Sequence, residues 1–182
     1  MTMPNVNRLT LAGLTIKTVV VHTVTYFVAG ILAYTLGDYA RTYSEPPLSY
    51  LMRPTSHPWV MAGPVLQPLR GVIFALAFYP LRRVLFAERR GWLTLWWLLL
   101  ALGILSTFGP APGSVEGLIY TVIPPRAQIL GLWETVLQSL LLSVVLFHWV
   151  THPEKRWLGW TLGIAFCVVM ILPVLGLLTT RR

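Results

Sequence analysis

The sequence predicts an all-α integral membrane protein: a five-helix transmembrane bundle with a broken second helix and a Gly/Pro-rich interfacial hairpin between spans three and four. Three observations carry this. Hydrophobic residues make up 55% of the 182 positions and charged residues only 11%, where a soluble domain averages about 25% charged. The apolar runs approach the ~20 residues that a crossing helix needs. Lys and Arg gather in the short connections between those runs rather than inside them. The mean hydropathy is +0.68, and residues 1–182 read as a single transmembrane domain. The formal net charge of +8 would suggest nucleic acid in a soluble chain. Placed between apolar runs, it suits topology and anionic lipid instead, so the bilayer is the expected partner and nucleic acid is not.

The first span is Thr18–Leu36, behind a polar lead that holds Arg8 and Lys17. The run is longer than a signal-peptide h-region and has no clean small-x-small site directly after it, so it reads as a retained span. Ala29, Ala33 and Gly37 recur every four residues, a face that lets another helix approach closely. His22 reads as a histidine hydrogen-bonded to a neighbouring helix. Asp38–Pro58 is a loop stiffened by Pro46, Pro47, Pro54 and Pro58, and Tyr39, Tyr43 and Tyr50 suit headgroup depth.

Trp59–Leu81 is the second span, and Gly63–Gly71 is expected to break it. Pro64 and Pro68 remove backbone donors, while Gln67 and Arg70, three apart, share a helical face. A guanidinium at membrane depth costs about 2.5–3.5 kcal/mol even on insertion scales. Arg70 therefore needs a partner, a wet cavity or a route to the interface. Arg82, Arg83, Arg89 and Arg90 follow and form the strongest topology signal in the chain. Trp92–Phe108 is the third span, with Trp92, Trp96 and Trp97 as an interfacial belt.

Gly109–Gly117 interrupts the chain, Leu118–Ile123 is apolar but too short to cross, and Pro124 and Pro125 stop it. Ser114 is expected to cap one or two helical turns, with Glu116 near their positive end. Gln128–Trp149 is the fourth span, with Glu134 and Gln138 on one face. Trp157–Leu178 is the fifth, with a Gly159–Gly163 packing motif and a kink at Pro173. Cys167, the single cysteine, reads as a packed thiol and rules out an intramolecular disulfide or a cysteine metal cluster.

Five spans place the termini on opposite sides. With the N-terminus cytoplasmic, Arg8, Lys17, Arg82, Arg83, Arg89, Arg90, Lys155 and Arg156 lie inside, against Arg41, Arg53, Arg126, Arg181 and Arg182 outside. That balance fits the positive-inside rule and a bacterial inner (plasma) membrane. Arg70 and Glu134 then fall at matching depth in the outer half and form the expected ion pair, with Gln67 and Gln138 filling the remaining hydrogen-bond positions. The pair reads either as a register pin or as the floor of an outward-opening cavity roofed by Pro46–Pro58 and Gly109–Pro125. The candidate ligand-binding residues are Gln67, Arg70, Glu116, Tyr120, Glu134 and Gln138.

No catalytic residue, metal or cofactor is assigned. The chain lacks the G-x-S-x-G elbow, H-E-x-x-H and the Walker and Rossmann glycine patterns. His22 and His148 sit at mismatched depths for haem ligation. His57, Glu45 and Glu116 read as solvated loop residues before they read as metal ligands or as acid and base.

Tyr50-Leu51-Met52-Arg53-Pro54, followed by Pro58-Trp59-Val60 and Gly63-Pro64-Val65, resembles the first-loop pattern of the tryptophan-rich sensory protein/translocator family. That family also has five spans and many tryptophans. Leu66 and Arg70 stand where its aromatic residues follow, and Trp157–Leu178 contains no asparagine to match its last-span signature, so membership is not assigned.

Three functions fit these features. One is a binding or transport-accessory protein with an outward site for an amphipathic or anionic small molecule or lipid. Another is a structural or assembly subunit that pairs, as a homo- or hetero-oligomer, through small-residue helix faces. The third is a membrane-embedded enzyme acting on a lipid or isoprenoid, with Glu116, Glu134, Arg70 and His57 as its working groups.

Overall fold

The computed structural model describes residues 9–180; Arg8, Arg181 and Arg182, used above for sidedness, lie outside the described residues. Regular structure among the described residues is entirely helical. Helix α1 (Leu11–Leu36) starts at Thr10, whose hydroxyl accepts from the Gly13 N–H at 3.1 Å. It begins ahead of the predicted Thr18 because Lys17 is not left in a polar lead. Its Nζ donates to the Trp149 carbonyl at 2.9 Å and lies 5.4 Å from the centre of the Trp149 ring. The ammonium thereby serves a carbonyl in the last turns of another helix, where the dipole favours positive charge.

The first loop carries α2 (Tyr39–Thr42), a 3-10 turn (Leu48–Tyr50) and α3 (Pro58–Met61). Helix α4 (Gly63–Ala87) follows after one turn residue, Ala62. The predicted break is thus displaced: it falls at Ala62, and α4 runs unbroken through Gly63–Gly71. Pro64 occupies the first turn, where its missing N–H has no helical acceptor in any case. Pro68 sits inside the helix, and Gln67 folds back beside it to donate its side-chain amide to the Gly63 carbonyl at 3.1 Å.

Helix α5 (Gly91–Leu100) passes into a π-helical stretch, Ala101–Leu105, closed by the Ser106 N–H on the Ala101 carbonyl at 2.9 Å. Helix α6 (Val115–Tyr120) is the short helix expected behind Ser114, whose hydroxyl accepts from the Gly117 N–H at 2.9 Å. Helices α7 (Pro125–Thr151) and α8 (Arg156–Thr180, with Pro173 inside it) complete the chain.

Three helical stretches are long and apolar enough to cross a membrane: Leu11–Leu36, Pro125–Thr151 and Arg156–Gly176. Helix α4 has comparable length, but Gln67, Arg70, Arg82 and Arg83 dilute its apolar run. Gly91–Leu105 is apolar, yet at ~1.5 Å per residue it spans only roughly 22 Å, short of a ~30 Å hydrocarbon core.

Neighbouring helices alternate in direction. On α1 and α4, Val19 meets Gly71 and His22 meets Gln67. Between α1 and α7, Lys17 meets Trp149 at one end, and Tyr39, just past α1, meets Glu134 at the other. Gly91 of α5 faces Phe147, and Gly159 of α8 faces Trp149. The central helix is α1, which packs on α4, α7 and α8. The core of Leu14, Leu85, Phe86, Leu95, Leu146 and their neighbours lies toward the end that carries the arginine-rich turns. Ala29 and Ala33 are fully buried within the chain, so these two small residues of that face pack internally. Cys167 is exposed on α8, not packed as expected; its position falls on the outward face of the last helix, beside the exposed Val168.

Gly71 sets the close approach of α4 to α1. A Cβ there would stand 2.7 Å from the Val19 Cα, a backbone atom that cannot swing aside. Gly71→Ala is therefore expected to lower the thermal stability of the detergent-purified protein by about 1–3 kcal/mol, the usual range for overpacking. Gly30→Ala, with no atom within 4 Å of its Cβ position, serves as the control and is expected to leave the unfolding temperature unreduced. Equal behaviour of the two variants would refute the close α1–α4 contact.

Candidate functional site

Two polar centres occupy the half of the molecule opposite the core. The first joins α1 to α4. His22 is fully buried, and its Nε2 lies 3.1 Å from Gln67 Oε1. The Gln67 Nε2 is already donating to Gly63, so its oxygen faces the ring and His22 Nε2 is the donor. Donation from Nε2 leaves Nδ1 buried and, among the described residues, without a partner. Phe74 packs edge-on against it, with centroids 5.0 Å apart at 89°. The expectation that His22 bonds to a neighbouring helix is met, and Gln67 is the partner.

Arg70 points elsewhere. Its guanidinium carbon lies 5.4 Å from the centre of the Phe74 ring, a cation–π contact, and its side chain is exposed. The expected Arg70–Glu134 ion pair is not formed. Among the described residues the ion pair is Arg41 with Glu45, at 2.9 Å in the exposed first loop. Arg70 instead lines a cavity of about 270 Å³ with His22 and Gln138. The π-helical residues Gly103 and Ile104 form one wall, and Ala111 and Pro112 of the hairpin close one side.

The second centre is Glu134. Its Oε2 accepts the hydroxyl proton of Tyr39 from the loop after α1. Tyr39 stacks on Tyr43, with centroids 4.8 Å apart at 30°. Burial, and then the bond to Glu134, push the Tyr39 phenol above its ordinary value; burial, and then the same carboxylate, raise Tyr43. Two cavities of about 510 and 730 Å³ meet at this point, sharing Tyr39, Tyr43, Met52 and Glu134. Glu134 misses Arg70 because matching depth does not fix rotation about the helix axis, and a loop tyrosine reaches the carboxylate first.

The hairpin between α5 and α7 depends on Gln128, which is 2% exposed. Its Oε1 accepts from the Gly113 N–H at 2.9 Å, and its Nε2 donates to the Ile123 carbonyl at 2.8 Å and to Gly117 and Thr121 at 3.2 Å. Gly113 has φ +87, a left-handed conformation that favours glycine. This one amide supplies the pairing that irregular backbone lacks.

Of the six candidate residues, Arg70 and Gln138 share one cavity, and Gln67 reaches it through His22. Glu134 belongs to the two adjoining cavities. Glu116 is partly exposed and Tyr120 is 71% exposed, and neither lines any of these three cavities. Tyr39 and Gln128 were not among the six. The sequence signal for Gln128 is a lone amide two residues after a Pro-Pro-Arg stop. Among the described residues no group of His, Cys, Asp and Glu could hold a metal ion. No protein-family model matches this chain, and no curated protein or solved structure shows detectable similarity to it. The likeness of Tyr50–Val65 to a known loop pattern is therefore not accompanied by a family match.

Replacing Gln128 by Leu strands the Gly113 N–H and the Ile123 carbonyl in a buried setting. The expected loss is about 1–3 kcal/mol per stranded group. In hydrogen–deuterium exchange, amides of residues 113–123 are expected to exchange faster while the core of α1 is unchanged. Unaltered protection of that segment would show that Gln128 does not hold the hairpin.

Proposed function

We propose that this is an integral membrane protein of five spans, N-terminus cytoplasmic, whose outer half binds an amphipathic small molecule or lipid through an anionic group at Arg70. The observation that carries this reading is Arg70 itself: a guanidinium on a cavity wall shared with Gln138, with no carboxylate in ion-pair reach among the described residues. A charge in such surroundings needs a counter-charge or water, and an anionic headgroup supplies the first. The unformed Arg70–Glu134 pair weighs against a purely structural role for the two charges.

The alternating directions of α1, α4, α5, α7 and α8 support five crossings. The end that gathers Lys17, Arg82, Arg83, Arg89, Arg90, Lys155 and Arg156 suits the cytoplasmic face. In this reading Arg70 crosses facing the cavity rather than lipid. The short Gly91–Leu105 stretch crosses where the bilayer thins or where flanking residues snorkel.

Topology is tested by cysteine labelling at Thr42 and Ala87 in a Cys167→Ala background. The reading expects Thr42→Cys to react with an impermeant reagent from outside and Ala87→Cys to be protected; the reverse pattern would invert the protein and move the site to the cytoplasmic face. The site is tested by native mass spectrometry after purification in mild detergent. Wild type is expected to retain a bound anionic species that Arg70→Gln loses and Arg70→Lys partly keeps. Because no ion pair is broken, Arg70→Gln should also avoid the roughly 3–5 kcal/mol penalty of a stranded buried charge. Identical bound species in wild type and Arg70→Gln would overturn the proposal.

A further inference from the structure

We propose a second binding site of opposite preference: the cavity of about 730 Å³ between α1, the first loop and α7 takes an organic cation, a quaternary or alkylated ammonium on a compact apolar body. Its volume lies within the roughly 300–1,000 Å³ typical of small-molecule sites.

The charge is Glu134. It is partly buried and its Oε2 is engaged by the Tyr39 hydroxyl. Among the described residues no basic side chain lies in ion-pair reach and no donor reaches its Oε1. The walls are aromatic: Tyr26, Tyr34, Tyr39, Tyr43 and Trp59 all line the same space. Ring faces carry negative potential, and several of them around one carboxylate favour a cation that hydrates weakly, which is how aromatic cages hold quaternary ammonium groups.

The chain already places a cation on this wall. The Arg53 guanidinium carbon lies 6.0 Å from the centre of the Trp59 ring, on an exposed stretch of the first loop. It does not reach Glu134. The inner part of the cavity is therefore negative and aromatic, with the positive charge at its rim. This site is separate from the Arg70 cavity, which has none of these aromatic residues on its wall.

The test uses benzyltrimethylammonium against benzylsulfonate, two probes of similar body and opposite charge. Each is titrated calorimetrically into the full-length protein in mild detergent, with empty micelles subtracted. Wild type is expected to bind the ammonium, and in the Arg70→Gln background, where the anionic site is removed, the sulfonate is expected to give no saturable heat. Glu134→Gln keeps an oxygen that accepts from Tyr39, and should weaken ammonium binding about tenfold, the loss of one desolvated charge contact. Trp59 is 63% exposed, so Trp59→Ala should fold normally and weaken binding several-fold; it decides the matter if Glu134→Gln does not fold. Arg70→Gln removes a nearby positive charge and should not weaken ammonium binding, which separates this site from the anionic one. Ammonium heats equal to empty micelles, sulfonate binding equal to that of the ammonium in the Arg70→Gln background, or unchanged ammonium affinity in both Glu134→Gln and Trp59→Ala would each overturn the proposal.

Discussion

Gly71 against Val19 is the contact on which the open half of the molecule depends. Without a Cβ on that residue, α4 comes close enough to α1 for Gln67 to reach His22. Gly71 and Gln67 are four apart and share the face turned to α1. Arg70 precedes Gly71 by one residue, about 100° round the helix. The same contact that buries Gln67 therefore turns Arg70 sideways, toward the gap between α4 and α7. A bulkier residue at Gly71 would shift the side chain that bonds His22 and the one that lines the cavity together.

The two charges of this region end up with separate surroundings. Arg70 has a phenyl face, a glutamine amide and an imidazole around it. Glu134 has a phenol donor and a ring of aromatic walls. Each retains its own field because neither cancels the other at contact distance. In a medium of low dielectric such fields are stronger than in water, so the two cavities differ in the sign of charge they favour although they lie side by side. The hairpin held by Gln128 and the loop carrying Tyr39 contribute walls to them. Both are irregular segments held by side-chain hydrogen bonds rather than by ladders.

Much of this was legible in the sequence. The helical class, the cap at Ser114, the bond from His22 to another helix and the short helix before Pro124 each rest on local chemistry. What was not legible shares a cause. The Arg70–Glu134 pair was inferred from depth, and depth leaves helix rotation free, so Tyr39 could reach the carboxylate instead. The sequence puts the break between Pro64 and Pro68, but Pro64 lies in the first turn and removes nothing the helix would have used, α4 continues through Pro68, and the turn falls at Ala62. Gln128 looked like the start of an apolar run; its partners at Gly113, Gly117, Thr121 and Ile123 come from a segment with no periodicity. Glu116 and Tyr120 belong to that hairpin, and neither lines the three cavities around Arg70 and Glu134.

The uneven distribution of packing has a mechanical consequence. The side chains of the core clamp the helices together at the end where Lys17 ties α1 to α7, while the opposite end is hollow. Such a body deforms as a set of levers with a common fulcrum. A tilt of about 5° about the clamped end carries the far end of a ~30 Å helix sideways by roughly 2–3 Å, enough to change the clearance between neighbouring side chains. The clamped end hardly moves, so little packing is disturbed there. A change in the size of the cavities is thus least costly as a splaying of helix ends, and the proline-bearing first loop and the hairpin span the ends that would splay.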